Sequence, residues 1–373
     1  MLKVMTIVGT RPEIIRLSRI VALLDKHCEH ILVHTGQNYD YELNEVFFSD
    51  LGIRKPDRFL EAAGANAAQT IGRVIMASDE AMEAYKPDAL LILGDTNSCL
   101  AAISAKRRKI PIFHMEAGNR CFDFRVPEEI NRRIVDHTSD INLPYSQIAR
   151  DYLLREGLPP DQVICTGSPM REVIEHYRPG IEASDVLSRL SLQPNGYFVV
   201  SSHREENVDD PARLALLIGI LNGLAGRYEL PIIVSTHPRT RKRIEMLGAD
   251  VASQVQFHKP FGFLDYVKLQ CDARCVLSDS GTITEESSIL NFPALNLREV
   301  HERPEGFEEA SVMMVGLSWE RVESCLPIVA EQSRGAQRSL RLVDDYSPDN
   351  VSDKVLRILM SYTDFVNRRT WHR

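Results

Sequence analysis

The sequence predicts an α/β protein built from two doubly wound parallel sheets. The chain has 373 residues, which is too long for one ordinary hydrophobic core. Short apolar segments alternate with amphipathic ones, and such β-α alternation is typical of parallel sheets. The alternation stops at a polar segment with Gly and Pro, residues 178–196, and then starts again. Two domains of the same class therefore follow one another.

The first half contains six strand-like segments, separated by helix-like ones such as residues 12–26 and 66–85. The third of them, DALLILGD, is almost entirely apolar, as expected for a strand covered on both faces. The strand-like segments are LKVMTIVG (2–9), HILVHTG (30–36), DALLILGD (88–95), IPIFHMEAG (110–118), DINLPYS (140–146) and QVICTGSP (162–169).

The second half repeats this pattern and sets the expected domain boundaries. We expect an N-terminal domain over 1–170, a C-terminal domain over 171–355 and a final helix over 356–373. The sequence allows this helix to pack on either domain, including a return to the N-terminal one. The strand-like segments here are YFVVSSH (197–203), PIIVSTH (231–237), VQFHKP (255–260), RCVLSDSG (274–281) and PALNL (293–297).

Composition excludes several function classes. Hydrophobic residues make up 44% and charged residues 26%, as in soluble globular proteins. No apolar run approaches the roughly 20 residues that span a bilayer, and the first residues predict a β-strand rather than a signal peptide. The net charge of −8 argues against a nucleic-acid partner. Seven scattered cysteines without a CxxC pair predict free thiols and a cytoplasmic location.

Two strand-to-helix turns have the residues of a phosphate site. In VGTRPEII (8–15), Gly9 permits a tight turn, Pro12 suits the first helical position, and Arg11 suits a phosphate. In LSDSGTITEE (277–286), backbone N–H groups around Ser280 and Gly281 suit a diphosphate. An ordinary capped turn explains the first segment as well, and a serine N-cap with a capping box explains part of the second.

Two further residues of the second half suit a nucleotide. Glu286 lies about one and a half turns into the predicted helix, from where it could bond vicinal ribose hydroxyls. Phe261, next to Gly262 at a strand end, could stack on a base, although core packing is the commoner use of a phenylalanine. Neither GxGxxG nor GxxxxGK[ST] is present, so neither a dinucleotide fold nor a P-loop is supported.

Carboxylates and an imidazole at strand ends indicate proton transfer. Asp95, Glu116 and Glu128 come from the first half and His203 from the second. Such groups converge at acid–base sites. A metal site is not expected, because these carboxylates lack ligand spacing. The other interpretation is an ion-pair network between these carboxylates and Arg120, Arg125, Arg132 and Arg133. We expect the acid–base site and the ion-pair network each to account for some of these residues. Glu129 fits an ion pair. No GxSxG motif supports a serine nucleophile.

Taken in order, these motifs resemble the non-hydrolysing UDP-N-acetylglucosamine 2-epimerases. The matching segments span nearly the whole chain: GTRPE, HTGQ, GDTNS, MEAGNR, PEEINRR, SSHREEN, SDSG followed by EE, and ERPE. The resemblance implies a GT-B fold, two Rossmann-like domains facing a central cleft that holds UDP. It implies no cofactor and no metal, a homodimer, and a UDP-sugar substrate, with no nucleic-acid or membrane partner.

The resemblance also assigns roles to residues. UDP leaves C1 as the C2 proton is removed, and it adds back after reprotonation on the other face. Asp95 and Glu116 match proton-transfer groups, while Glu128 and His203 assist. The UDP-binding candidates are Arg11, Arg16, His237, Phe261, Ser280, Gly281 and Glu286.

Differences from the usual family sequence indicate which sugar is the substrate. The family commonly reads EAGLRTGD and then PWPEEANR, where this chain reads EAGNRCFDFRVPEEINRR. This spelling looks most like the subgroup that epimerises UDP-2-acetamido-2,6-dideoxy-L-talose to UDP-N-acetyl-L-fucosamine for capsule or O-antigen synthesis. An apolar wall from Phe122 or Phe124, with Arg120 beside it, would suit a sugar without a 6-hydroxyl.

Other functions remain open at this point. The first alternative is interconversion of UDP-N-acetylglucosamine and UDP-N-acetylmannosamine. A glycosyltransferase of the same fold, a hydrolysing relative and a non-catalytic UDP-sugar binder are further alternatives. The intact set of Asp95, Glu116, Glu128 and His203 argues against a pure binder.

Overall fold

A computed structural model describes residues 1–36, 48, 50–202, 207, 210–236, 238–300 and 302–373. The chain forms two compact units. Unit 1 comprises Met1–His176 and Asp344–Arg373, and unit 2 comprises Tyr177–Val343. Each unit contains one six-stranded sheet whose paired strands are parallel. The prediction of two parallel α/β sheets is therefore confirmed.

Unit 1 has the strand order β3-β2-β1-β4-β5-β6. The order in which the chain adds strands reverses between β1 and β4, which pair directly, for example at Ile7 and Ile92. This strand order is that of a Rossmann fold, whose ligands bind beyond the carboxyl ends of the strands at the reversal. The strands are β1 Lys3–Val8, β2 Glu29–His34, β3 Arg58–Phe59, β4 Ala89–Leu93, β5 Ile112–Met115 and β6 Ile141–Leu143.

The helices of unit 1 cover this sheet, and the five residues of β4 are all buried. Among them, α2 begins after Asn66, whose side chain accepts a hydrogen bond from the Gln69 amide. The helices are α1 Arg11–His27, α2 Ala67–Tyr85, α3 Ala102–Arg107, α4 Pro127–Thr138 and α5 Gln147–Arg155. The 3₁₀ turns are Asn97–Ala101, Pro160–Gln162 and Asp344–Tyr346.

Unit 2 repeats the same winding, with the order β12-β11-β10-β7-β8-β9. The order in which the chain adds strands reverses between β7 and β10, so ligands are expected beyond the carboxyl ends of these two strands. The strands are β7 Phe198–Ser201, β8 Ile232–Ser235, β9 Val255–His258, β10 Cys275–Ser278, β11 Ala294–Asn296 and β12 Met313–Met314.

The helices that follow α5 complete the chain. They are α6 Met170–Ala183, α7 Val186–Arg189, α8 Pro211–Tyr228, α9 Pro238–Leu247, α10 Phe263–Asp272, α11 Thr282–Leu290, α12 Pro304–Glu308, α13 Trp319–Ala330 and α14 Val351–Thr370. The last helix packs on α1 within unit 1. Its buried residues Val351, Val355, Leu359 and Val366 recur at helical spacing and form the apolar face that makes this contact possible.

The structure differs from the sequence-based expectations in three places. Residues 162–169 do not form a strand; only an isolated bridge joins Val163 to Asn142. Short edge strands β3 and β12, of two residues each, were not predicted because two residues give no periodicity. Residues 171–176 and 344–355 lie in unit 1, whereas the sequence-based division placed them in the second domain.

Candidate active site

The turn after β1 is tied to the turn after β4 by a buried carboxyl group. Glu13, in the first turn of α1, is 2% exposed. It accepts hydrogen bonds from the Gly9 amide at 2.6 Å and the Thr10 hydroxyl at 3.0 Å. It also accepts from Thr96 at 2.6 Å and from Ser98 at 3.1 Å. The two turns at the sheet reversal of unit 1 are thus one hydrogen-bonded structure.

Burial changes the protonation of Glu13. Loss of water raises the pKa of its carboxyl group from 4.5 to about 7, although hydrogen bonds from Thr96, Gly9, Thr10 and Ser98 act in the opposite direction. The group therefore titrates close to neutral pH.

Asp95, directly after β4, is held by an arginine of α4. Its Oδ2 atom accepts from Arg132 Nε at 2.9 Å and Arg132 Nη2 at 2.6 Å. The backbone carbonyl of Asp95 accepts from the Asn131 side chain at 2.9 Å. The carboxylate keeps a side-chain exposure of 20%. Asp95 is therefore oriented by α4 and still accessible to solvent or a ligand.

Glu116 follows β5 in an unusual backbone conformation. Its φ of +62° lies in the left-handed region, which costs a residue with a Cβ about 1–2 kcal/mol. Its carboxylate lies 3.2 Å from Arg16 Nη1 and accepts from the Asn119 side chain at 3.2 Å. The Arg16 guanidinium also lies 5.5 Å from the centre of the Tyr145 ring. Strain of this kind is concentrated at functional sites.

An ion-pair network with a fully buried centre, formed by Asp136, Arg120 and His114, supports the loop between β5 and α4. Asp136 lies 2.7 Å from Arg120 and 2.9 Å from His114 Nδ1, and it accepts from the Gly118 amide at 3.2 Å. Arg120 also pairs with Glu156 at 2.6 Å. The guanidinium of Arg120, assigned to the sugar pocket by the resemblance, is directed to these internal acceptors.

His114 connects this network to the turn that carries Asp95. Its Nε2 atom lies 2.9 Å from the carbonyl of Gly94, the residue before Asp95. Burial acts to lower the pKa of His114, but Asp136 and the Gly94 carbonyl outweigh it, so the pKa is raised. The network thus reaches both the Asp95 turn and the loop after Glu116.

The first turn of α4 separates two neighbouring glutamates. Glu129 is fully buried and pairs with Arg133 at 2.8 Å and Arg132 at 3.1 Å. Its expected role as an ion-pair residue is confirmed. Glu128 lies in the same turn and is half-buried. It lies four residues before Arg132 on α4 and therefore on the same helix face, which is compatible with the assisting role implied for it.

We call residues 116–133, whose sequence departs from the usual family form, the variant segment. Its two phenylalanines lie at the surface of unit 1. Phe122 is 63% exposed and Phe124 is 66% exposed. Arg133 contacts both rings, at 6.0 Å from the centre of Phe122 and 5.4 Å from that of Phe124. Phe122 also packs edge-on against Tyr152, with 5.4 Å between the ring centres, and most of the surface of both phenylalanine side chains stays exposed.

In unit 2 the turn after β10 joins the end of β7 through another buried carboxylate. Asp279 is fully buried and accepts from Ser202 at 2.8 Å and Asn207 at 3.0 Å. Ser280 and Gly281 follow as half-buried residues. α11 begins at Thr282, but Gly281 already has helical angles, φ −63° and ψ −23°. The Ser280 hydroxyl accepts a hydrogen bond from the Thr282 amide at 3.3 Å, as the alternative interpretation of a serine cap expected. A helix of nine residues therefore starts at this sheet reversal, with its amide groups where ligands are expected.

Two more predicted nucleotide residues lie in unit 2. Glu286 is 9% exposed and accepts a hydrogen bond from the Gln270 side chain at 2.7 Å, which fixes one of its oxygens. Phe261 packs against a core cluster of unit 2, and its ring centre lies 5.4 Å from that of His258. Core packing thus accounts for part of the Phe261 surface. His203 and His237 lie outside the described residues.

Sequence reasoning missed the residues that orient the predicted ones. Glu13 stood inside the GTRPE motif, but nothing in the sequence shows that four donors converge on it. Arg132 was grouped with three other arginines, and only the structure separates its contact with Asp95 from theirs. The spacing of Asp136 from Glu129, seven residues on one helix face, was the available signal.

Two negative findings apply to the described parts of the chain. No group of three or more His, Cys, Asp or Glu residues there has an arrangement that could hold a metal ion. No helix among the described segments combines the length and the apolar character needed to cross a membrane.

Two Rossmann-ordered sheets, each with polar turns at its reversal, define a two-domain α/β protein of the GT-B class. Solved structures agree. UDP-N-acetylglucosamine 2-epimerase from Rickettsia bellii shares 53% identity, both chains are covered completely, and the TM-score is 0.92. The Methanocaldococcus jannaschii enzyme, solved with UDP-GlcNAc and UDP, shares 30% identity over 96% of this chain and 99% of that chain, with a TM-score of 0.89.

The family model for UDP-N-acetylglucosamine 2-epimerases matches residues 22–360. A curated relative from Pseudomonas aeruginosa, UDP-2,3-diacetamido-2,3-dideoxy-D-glucuronate 2-epimerase, is 36% identical over 307 residues, which are 81% of this chain and 84% of the relative. The chain belongs to the UDP-N-acetylglucosamine 2-epimerase family, and it is an isomerase that acts on a UDP-sugar.

Proposed function

We propose that this protein inverts C2 of a UDP-linked acetamido sugar by eliminating UDP and adding it back. A carboxylate removes the C2 proton, the C1–O bond breaks, and UDP leaves with the bonding electrons to give an alkene between C1 and C2. A proton then returns to the opposite face of C2, and a UDP oxygen attacks C1. Two proton-transfer groups are needed because the two faces of C2 are involved in turn.

The residues proposed for these steps differ in task. Asp95 and Glu116 exchange the proton with C2, and Glu128 and His203 assist, His203 beside the departing diphosphate. Support comes from the oriented yet accessible carboxylate of Asp95 and from the left-handed backbone of Glu116. A carboxylate fixed in advance needs no reorganisation during the reaction.

The UDP is bound by residues of the turns described above. Arg11 and the start of α11, at Ser280 and Gly281, bind the phosphates, and Glu286 binds the ribose. Arg16, Phe261 and His237 complete the proposed set. Amide groups at a helix N-terminus favour an anion, which supports this assignment for α11.

The proposed sugar is UDP-2-acetamido-2,6-dideoxy-L-talose, with UDP-N-acetyl-L-fucosamine as product. The observation that carries this choice is the pair of phenylalanines in the variant segment, Phe122 and Phe124, which are exposed rather than packed in the core. An apolar surface suits the methyl group of a 6-deoxy sugar and leaves a 6-hydroxyl without a hydrogen-bond partner. The second candidate is UDP-N-acetylglucosamine, favoured by the 53% identity to the Rickettsia bellii protein.

A solvent-label experiment tests the reaction and the sugar together. The purified protein is incubated with each UDP-sugar in deuterium oxide, and the products are followed by NMR. Deuterium at C2 of an intact, epimerised UDP-sugar is expected, mainly from the 6-deoxy substrate, and Asp95→Asn should abolish it. Turnover of UDP-N-acetylglucosamine alone refutes the proposed sugar. Release of free sugar, or no label with either compound, refutes the reaction.

A further inference from the structure

The carboxyl group of Glu13 joins the two turns that carry proposed substrate and proton-transfer residues. Donors from residues 9–10 precede Arg11, and donors from residues 96–98 follow Asp95. Glu13 is 2% exposed, so no substrate atom is needed to explain its hydrogen bonds. Its contacts point to a task in geometry rather than in proton transfer to the sugar.

Four hydrogen-bond donors surround the Glu13 carboxyl group, so both of its oxygens must act as acceptors. A carboxylate has two oxygens that only accept, whereas a carboxylic acid or an amide carries a donor of its own. The Gly9 amide cannot turn around, and it lies 2.6 Å from one Glu13 oxygen. The hydroxyls of Thr10, Thr96 and Ser98 would have to reorient if that acceptor surface changed.

We propose that Glu13 is a positioning residue for the epimerase reaction, whose carboxylate keeps the turn at residues 9–11 and the turn at residues 95–98 at a fixed spacing. The inference rests on the proposed function, in which Arg11 binds UDP and Asp95 exchanges the C2 proton. A shift of about 1 Å between such groups costs about 100-fold in rate. The buried Glu13 carboxylate prevents that shift because it is hydrogen-bonded to both turns.

Protonation of Glu13 weakens this connection. Burial raises the pKa of its carboxyl group to about 7, so part of the protein carries the acid form at neutral pH. Cys99 on the 3₁₀ turn faces Glu13, because the Glu13 and Asp95 carboxylates both act to raise the pKa of its thiol. The Asp95–Arg132 pair follows β4, and Arg16, which pairs with Glu116, lies three residues after Glu13 on α1. None of these pairs replaces the acceptor that protonation removes.

The test compares Glu13→Gln with the wild type. Glutamine keeps the size of the side chain but resembles the acid form, since its amide nitrogen is a donor. We expect kcat to fall about 100-fold with a much smaller change in KM. Wild-type kcat should decrease below about pH 7, and this decrease should be absent from E13Q, which stays low at every pH. Glu80→Gln, a 71% exposed carboxylate on α2, is the matched control and should behave as the wild type.

Two further measurements keep the inference separate from the proposed function. Thr96→Val removes the donor at 2.6 Å and should lower kcat in the same direction as E13Q. A crystal structure of E13Q should show Asp95 displaced relative to Arg11, a result that does not need catalytic activity. If the wild type epimerises neither UDP-sugar, the proposed function fails and this displacement still decides the inference. An unmoved Asp95, or wild-type kcat and pH profile in E13Q, overturns it.

Discussion

Arg132 donates two hydrogen bonds to one oxygen of Asp95, from Nε at 2.9 Å and from Nη2 at 2.6 Å. Its Nη1 atom donates to Glu129 at 3.1 Å, so one guanidinium fixes a carboxylate after β4 against the first turn of α4. Arg132 is itself 3% exposed. The orientation of Asp95 therefore depends on a planar group with several donors.

Arg132→Lys is expected to lower kcat by about 10- to 100-fold, because an ammonium group cannot donate in this planar pattern and Asp95 loses its orientation. UDP affinity, measured by calorimetry, should change little. Arg108→Lys is the matched control, since Arg108 donates from the same two nitrogens, Nε and Nη2, to the carboxylate of Asp79, which is not part of the candidate site. Wild-type kcat in the lysine variant would contradict this role of Arg132.

The sequence predicted the architecture well because parallel strands between two layers are apolar throughout. β4 lies inside the predicted segment 88–95, and the strand-to-helix turns in 8–15 and 277–286 follow β1 and β10 as expected. The strand expected at 162–169 failed because its apolar residues are few and Gly167 and Pro169 interrupt it; Gly167 has a φ of +81°. Two-residue strands such as β3 lie below any periodic signal.

The candidate site was predicted in its residue types but not in its supporting contacts. Carboxylates at strand ends can be recognised in a sequence because each strand is a short apolar segment and the residue that follows it is polar. Asp136 and Arg120 meet through a loop of irregular backbone, which no local pattern encodes. The same holds for Glu13, whose partners come from residues more than eighty positions away as well as from its own turn.

Asp136→Asn should destabilise the protein strongly. Asp136 is fully buried between Arg120 and His114, and removal of one partner of a buried ion pair costs about 3–5 kcal/mol because the other charge stays buried. Asp185→Asn is the control at the surface, where Asp185 is 72% exposed, its partner Arg189 is 51% exposed, and the loss should be about 0–1 kcal/mol. Urea unfolding measures both. Equal losses in the two variants would show that the buried network contributes no more than a surface pair.

The backbone of Glu116 predicts an inverted preference for glycine. At a φ of +62°, Glu116→Gly should be more stable than Glu116→Ala by about 1 kcal/mol, because glycine has no Cβ to oppose the left-handed conformation. Both variants lack the carboxylate, so the comparison isolates the backbone. At Glu80 on α2 the order should reverse by about 1 kcal/mol, since glycine weakens a helix. Thermal unfolding of the four variants tests this, and alanine favoured at both positions would exclude strain at Glu116.

Glu13 should make the protein less stable as pH rises from about 4.5 to about 7. In the folded protein burial raises the pKa of Glu13 to about 7, whereas in the unfolded chain the group loses its proton near 4.5. Between these values the folded state binds more protons than the unfolded state, so its stability falls with rising pH. The full effect is about 3 kcal/mol.

Glu13→Gln does not titrate and should remove this contribution. The unfolding free energy of E13Q relative to wild type should therefore rise between about pH 4.5 and about pH 7, by up to about 3 kcal/mol. Urea unfolding at several pH values gives this difference directly. Glu80→Gln, at an exposed site, should give a difference that does not vary with pH. A constant difference for E13Q as well would mean that the folded protein does not raise the pKa of Glu13.

Replacement of both Phe122 and Phe124 by alanine should change which sugar is preferred rather than whether the protein folds. If these rings form an apolar wall against the 6-methyl group, the ratio of kcat/KM for the 6-deoxy sugar over UDP-N-acetylglucosamine should fall by about 10- to 200-fold. The side chains are 63% and 66% exposed, so stability should change by only about 0.5 kcal/mol. Leu216→Ala removes another side chain that is 52% exposed, in unit 2, and should leave the ratio unchanged. A ratio unaffected by the double variant would separate the phenylalanines from sugar selection, and the choice of substrate would then have to come from other residues of the variant segment.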